Sequence, residues 1–166
     1  MVNVLFVCLG NICRSPAAEG MLRAQIESEG LIGTVTVDSA ATHAFNIGRP
    51  PDPRAQAVLH DRGIDIGDFR ARQIDGADFR RFDYIIAMDR DNLADLRHAC
   101  PADARVRLHR LMEFVPDARD REVADPYHGS DADFELMADQ IELGTRHLLR
   151  HIVTHDLGPS EGRSAD

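Results

Sequence analysis

Cys8 and Arg14 are separated by five residues in C-L-G-N-I-C-R-S, the stretch from Cys8 to Ser15. A thiolate is a strong nucleophile, and a planar guanidinium can hold two oxygens of a phosphate side by side. The intervening Leu9, Gly10, Asn11, Ile12 and Cys13 offer a run of backbone N–H groups, and Gly10 lets the main chain come close to a ligand. Such a loop cradles an oxyanion, and its amides together with Arg14 favour the ionised form of the Cys8 sulfur. Cys8 is then the nucleophile. Arg14 is the group whose grip strengthens as charge spreads over the equatorial oxygens in the transition state. Ser15 carries a hydroxyl that can donate to the same sulfur and help it leave in a second step. The stretch has neither the three spaced glycines of a dinucleotide loop nor the Gly-Lys-Ser/Thr of a nucleotide-binding loop.

A loop of this kind needs a strand to deliver it and a helix to follow it. Asn3 to Cys8 is an apolar run of the sort covered on both faces in a parallel sheet. Ser15 reads as an N-cap, Pro16 suits the first helical position, Glu19 complements the helix dipole, and Met21, Leu22 and Ile26 recur at helical spacing up to Gly30. T-V-T-V-D-S from Thr34 to Ser39 alternates as a second strand. Asn46 to Pro53, with three prolines, is a loop from which a helix starts at Asp52 and runs to Arg62. Asp83 to Met88 is a third strand, Asp91 to His98 a helix and Arg105 to Leu111 a weaker fourth strand. Pro116 to Ser130 is an ordered loop, and Asp131 to about His155 a long helix with Phe134, Met137, Ile141, Leu148 and Ile152 on one face. This alternation predicts an α/β fold: a single domain over residues 1–157 with a four-stranded parallel open sheet and helices on both faces, then a flexible tail over 158–166. In open parallel sheets the ligand site lies at the carboxyl ends of the strands, where Cys8 stands.

Bulk properties narrow the function classes. A chain of 166 residues, 43% hydrophobic and without any run near the ~18 apolar residues of a membrane span, is expected to be soluble. Met1 runs straight into V-N-V-L-F-V without the sections of a secretory leader, which predicts cytoplasmic residence. Three cysteines, Cys8, Cys13 and Cys100, are too few for a disulfide framework. The net charge of -9 speaks against general binding of nucleic acid or anionic membrane, so any anion must be bound locally. All 19 basic residues are Arg, a bias of composition. Only Cys100 follows Cys8 and Cys13, so no second Cys pair stands at ligand spacing, and neither metal nor other cofactor is expected.

V-C-L-G-N-I-C-R-S-P-A-A-E from Val7 to Glu19 resembles the signature of the low-molecular-weight protein tyrosine phosphatases. N-I-G-R-P-P-D-P-R-A at Asn46 to Ala55, A-R-Q-I at Ala71 to Ile74, F-D-Y-I-I-A-M-D at Phe82 to Asp89 and D-P-Y-H-G at Asp125 to Gly129 resemble later blocks of that family, in the same order. The resemblance implies a phosphotyrosine phosphatase I-like fold and a metal-independent, two-step reaction through a phosphocysteine on Cys8, with inorganic phosphate as product. It also implies that Asp125 is the general acid for the phenolate leaving group and then the base for water. Read without the family, an Asp before Pro is a turn former. Asn11 is a turn residue tolerating positive φ, a brace for the loop, or both. Cys13 has three readings: a small buried side chain, a partner that forms a disulfide with an oxidised Cys8, or, least favoured, a metal ligand; the resemblance favours the redox partner. Cys100, before Pro101, is read as inert.

The expected partners are phosphotyrosine proteins or peptides and small aryl phosphates, because a phosphotyrosine ring needs a deep apolar slot. Ile12, Phe45, Tyr127 and His128 are the candidate walls. An arginine phosphatase branch of the same family is similar but carries Thr where this chain has Ile12. A related arsenate reductase needs a later pair of cysteines, and here Cys100 alone follows the loop. An alternative from another class is a phosphate-binding or redox-sensing module with little turnover. Three residues depart from the family pattern: Phe69 where relatives often have His, which removes a hydrogen bond toward the loop; His128 where a second Tyr often follows Tyr127; and Phe45 where Trp or Tyr is often seen. Arg49 has two readings, a contact for acidic substrate residues near the cleft mouth or, favoured, a solvated loop arginine.

Overall fold

The alternation of side chains along β1 (Val2–Cys8) divides the core in two. Val4, Phe6 and Cys8 pack on one face of the sheet and Leu5 and Val7 on the other. All five of these residues are buried, which is why the run reads as continuously apolar. The computed structural model describes residues 1–118 and 120–158, and the tail expected at 158–166 lies outside the described residues from 159 onward. Among the described residues the chain order is β1, α1 (Arg14–Ser28), β2 (Val35–Ala41), α2 (Pro53–His60), α3 (Asp78–Arg81), β3 (Tyr84–Ala87), α4 (Arg90–Ala99), β4 (Arg107–Arg110), a 3-10 turn (Leu111–Phe114) and α5 (Asp131–His155).

The four strands form one parallel sheet in the order β2-β1-β3-β4. On the first face, β1 and β3 bury Phe6 and Ile86 against Met21, Leu22 and Ile26 of α1, Leu59 of α2 and Phe134, Met137, Ile141, Leu148 and Ile152 of α5. That apolar stripe of α5 is the one visible in the sequence, and a capping box of Ser130 and Asp133 starts the helix at Asp131. The second face is smaller: Leu5, Val7, Ile85 and Ala87 meet Phe79 and Phe82 beside α3 and Leu93 and Leu96 of α4. No helix among the described residues is long and apolar enough to cross a membrane.

Two short elements were not expected. D-F-R-R at Asp78–Arg81 is a single helical turn, too brief to show a period, and Leu111, expected to end a strand, instead opens the 3-10 turn and packs beside Gly144 of α5. α2 starts where predicted, the Asp52 carboxylate accepting from the Arg54 amide at 2.8 Å.

Candidate active site

β1 ends at Cys8, and the chain turns through residues 9–13 before α1 begins at Arg14. Ser15 does not cap that helix. Cys13 stands at the N-cap position without a side-chain cap, and Pro16 lies past the first helical position. The Ser15 hydroxyl has other partners instead, lying 3.0 Å from Cys8 Sγ and accepting from Asn11 Nδ2 at 2.8 Å.

Asn11 adopts φ 57°, the left-handed region that Asn tolerates better than most residues, and this turns its amide to donate to Cys8 Sγ at 3.3 Å. The same turn sends its side chain beneath the loop. There Nδ2 also donates to Ser39 Oγ at 2.9 Å, and Oδ1 accepts from the Arg72 amide at 3.0 Å. Asn11 is therefore both a turn residue and a strut from the loop to β2. Ser39 in turn donates to Glu19 Oε1 at 3.1 Å. Glu19, expected to serve the helix dipole, is buried in the second turn of α1, and its pKa is pushed up to about 7, first by burial and further by Asp38, against the lowering influence of Arg23.

Arg14 is fully buried, yet it is charged and held. Its Nη1 donates to Asp89 Oδ2 at 2.6 Å and to the Val123 carbonyl at 2.9 Å. Burial works against that charge, but the facing Cys8 and the Asp89 hydrogen bond raise its pKa all the same. Asp89 has a second task, capping α4 through Oδ1 to the Asn92 amide at 2.8 Å. The other guanidinium nitrogen, Nη2, lies 3.6 Å from Asp125 Oδ2. Asp125 is half exposed on the loop before α5, and its Oδ1 accepts from the Tyr127 amide at 3.1 Å, closing a tight turn.

A pocket of about 270 Å³ opens over this group. Cys8, Leu9, Gly10, Ile12, Cys13 and Arg14 form its floor, and Phe45, Tyr127, His128 and Asp125 form its sides. Asn11 and Ser15 lie behind the loop rather than in the pocket, where they brace it. Phe45 is 69% exposed and stacks on His43 with ring centroids 5.2 Å apart, while Tyr127 and His128 meet edge to face. Cys13 is buried, and burial, then Asp52 and Cys8, push its thiol up, so it stays protonated. Cys100 sits away from the pocket at the end of α4. Arg49 is exposed.

Phe69 sits partly buried against the core with the Arg23 guanidinium 5.3 Å from its ring centroid, and the bracing of the loop comes from Ser39 and the Arg72 amide. Sequence reasoning missed Asn46, whose Nδ2 donates to the Gly10 carbonyl at 3.3 Å, and also Asp89, Ser39 and Glu19. Asp89 stands just past the carboxyl end of β3, so the rule that placed Cys8 at the ligand edge was a usable signal for it, whereas Ser39 lies two residues before the end of β2. Asn46 and Glu19 carried none beyond residue type.

Residues 3–157 match the family model described as low molecular weight phosphotyrosine protein phosphatase. The chain is 40% identical over 152 residues to the low molecular weight protein-tyrosine-phosphatase YfkJ of Bacillus subtilis, covering 92% of this chain and 96% of that protein. Its fold superposes on a protein tyrosine phosphatase from Entamoeba histolytica with a TM-score of 0.87 at 36% identity, covering 92% of this chain and 97% of the other. It also superposes on the drosophila arginine phosphatase, with a TM-score of 0.86 at 32% identity over 92% of this chain and 99% of the other, so the choice between aryl and guanidino phosphates must be argued from the pocket.

Proposed function

We propose, from the premise that this chain belongs to the low molecular weight phosphotyrosine protein phosphatases, that it hydrolyses phosphotyrosine through a phosphocysteine on Cys8. The observation that carries this reading is convergence: Asp125, from a loop more than 100 residues along the chain, lines the same pocket as Cys8 and Arg14 of the phosphate loop. The Cys8 sulfur attacks phosphorus in line with the phenolic oxygen. As the S–P bond forms and the P–O bond breaks, Asp125 passes its proton to the departing phenolate. Asp125 then takes a proton from water, the water oxygen attacks phosphorus, and Cys8 leaves as thiolate with inorganic phosphate as product. The Asn11 amide and the Ser15 hydroxyl stabilise that leaving sulfur. Arg14, with Nη1 fixed by Asp89 and Val123, presents the rest of its guanidinium to the transferring group. Such preorganised charge in a closed site contributes more than the same groups in water.

The walls support the aryl substrate. Phe45 and Tyr127 at the sides and Ile12 in the loop below line the pocket with apolar surface, and a branched aliphatic at position 12 has no hydroxyl to meet a guanidino nitrogen. A pure binding module has no use for a carboxylic acid across the pocket from the thiol, which favours turnover. We assign the domain to residues 1–157, and we place it in the reducing cytoplasm because its nucleophile is a thiol that oxidation would consume. Cys13, buried beside Cys8 and lining the same pocket, is the partner we assign to an oxidised Cys8.

Hydrolysis of p-nitrophenyl phosphate in EDTA tests the assignment. Wild type turns over, Cys8→Ser loses activity by at least about 10³-fold, and Asp125→Ala slows most on substrates with poor leaving groups. Equal activity of all three proteins overturns the mechanism.

A further inference from the structure

General acid catalysis needs its carboxyl held within hydrogen-bond reach of one oxygen, and Asp125 sits half exposed on a loop without regular secondary structure. Its Oδ1 is tied to the Tyr127 amide, which fixes the side chain relative to its own turn but does not fix the turn relative to Cys8. Arg14 holds this loop ahead of Asp125, bonding the Val123 carbonyl at 2.9 Å and lying 3.6 Å from Asp125 Oδ2, and the segment after Asp125 is held by Arg54. Its Nη2 donates to the Tyr127 carbonyl at 3.0 Å, while Nε and Nη2 fork onto Asp52 Oδ1 and Oδ2 at 3.1 and 3.0 Å. The guanidinium lies 4.5 Å from the ring centroid of Phe134, in the first turn of α5, and 5.7 Å from that of Tyr127. Asp52 is itself anchored at the N-cap of α2, and its amide donates to the Ile12 carbonyl at 2.8 Å. An unbroken series of contacts thus runs from Ile12 in the phosphate loop through Asp52, Arg54 and Tyr127 to Asp125.

We propose that Arg54 is a positioning residue for the general acid, setting the Asp125 turn at a fixed distance from the loop that holds Cys8. It touches neither the pocket floor nor the reacting atoms, and the inference rests on the reading of Asp125 as the acid. The geometry demands Arg: a planar fork can grip both Asp52 oxygens and still spend a hydrogen on the Tyr127 carbonyl, whereas an ammonium satisfies these acceptors less rigidly. The pair remains ionised at neutral pH, since the Asp52 carboxyl, although burial opposes it, is held below the usual carboxylate range by the Arg54 hydrogen bonds.

The experiment compares wild type, Arg54→Met, Arg54→Lys, Asp125→Ala and the double variant Arg54→Met/Asp125→Ala on a series of aryl phosphates. For Arg54→Met, kcat/KM on phenyl phosphate, which covers the steps up to release of the phenol and not the later hydrolysis of phosphocysteine, falls about tenfold, a part of the roughly 10²–10⁴-fold that a general acid supplies. On 2,4-dinitrophenyl phosphate, whose leaving group needs no proton, it falls by no more than about twofold. Arg54→Lys lies between wild type and Arg54→Met, inhibition by inorganic phosphate and alkylation of Cys8 by iodoacetate stay at wild-type values, and Arg54→Met adds no further loss to Asp125→Ala. Equal losses on both substrates, or a multiplicative loss in the double variant, overturn the proposal. A flat leaving-group dependence for Asp125→Ala alone overturns the premise instead, so the two failures are distinct. Should Arg54→Met not fold, Arg54→Lys carries the same comparison.

Discussion

Replacing Glu19 by Gln tests the buried carboxyl beneath the phosphate loop. Moving a carboxyl from its ordinary 4.5 to about 7 corresponds to about 3 kcal/mol for keeping it ionised in the native state, at 1.36 kcal/mol per pKa unit. The folded-state value lies above the unfolded one. Its contribution is therefore fully present below about 4.5 and is lost as pH rises to about 7, and wild type carries the whole cost above that. Gln keeps the shape and can still accept from Ser39 through its carbonyl oxygen. It forgoes the charge-assisted bond from Arg23, 3.2 Å away, but Arg23 is 56% exposed and that pair is worth only about 0.5 kcal/mol. Glu19→Gln is therefore more stable than wild type by about 2–3 kcal/mol at pH 8, with the advantage shrinking to nearly nothing at pH 4.5. Urea unfolding followed by circular dichroism at the two pH values measures it, using the shift in midpoint at constant slope. An advantage that does not change with pH, or a variant less stable than wild type at pH 8, refutes the reasoning.

Two further outcomes follow from other parts of the molecule. At the end of α5, burial opposes the charge of Asp156, but hydrogen bonds from Tyr84 Oη at 2.6 Å and Arg107 Nη1 at 2.9 Å hold its carboxyl below the usual range. Its stabilisation is thus present above about 3.8 and lost as pH falls through the lower native value. Asp156→Asn should cost about 1–2 kcal/mol at pH 7, and in urea titrations the deficit should persist down to about 3.8 and narrow only below that. Next to the pocket, peroxide-treated wild type should yield a Cys8–Cys13 disulfide in non-reducing peptide mass spectra and regain activity with dithiothreitol, whereas Cys13→Ser should not recover; Cys8 found as sulfonic acid in treated wild type, without a bridge, overturns the pairing.

The architecture and the chemistry of the loop were legible in the sequence because both depend on near neighbours. Burial on both faces makes β1 an unbroken apolar run, α5 shows its stripe because one side meets the sheet, and Cys8 to Ser15 carries nucleophile, turn and cation together. The bracing was not legible. Ser15 is an ordinary N-cap by type, and what draws it away from capping is a sulfur and an Asn side chain brought near by the turn at Asn11. Glu19 at the second turn of a helix reads as a dipole partner until β2 brings Ser39 and Asp38 against it. Arg54 and Asp89 act through partners far along the chain, and no local pattern encodes which acceptor a given guanidinium or carboxylate will meet.

The hydrogen bond from Arg14 to the Val123 carbonyl joins residues 109 positions apart. A nascent chain leaving the ribosome displays its cysteine long before the counterpart of its arginine has been synthesised. The guanidinium facing that sulfur gains the partners that fix it only after β3 and the segment beyond β4 have docked, so full reactivity arrives with the finished molecule. For the same reason, loss of catalysis on heating should track melting of the whole sheet and not the fraying of one loop.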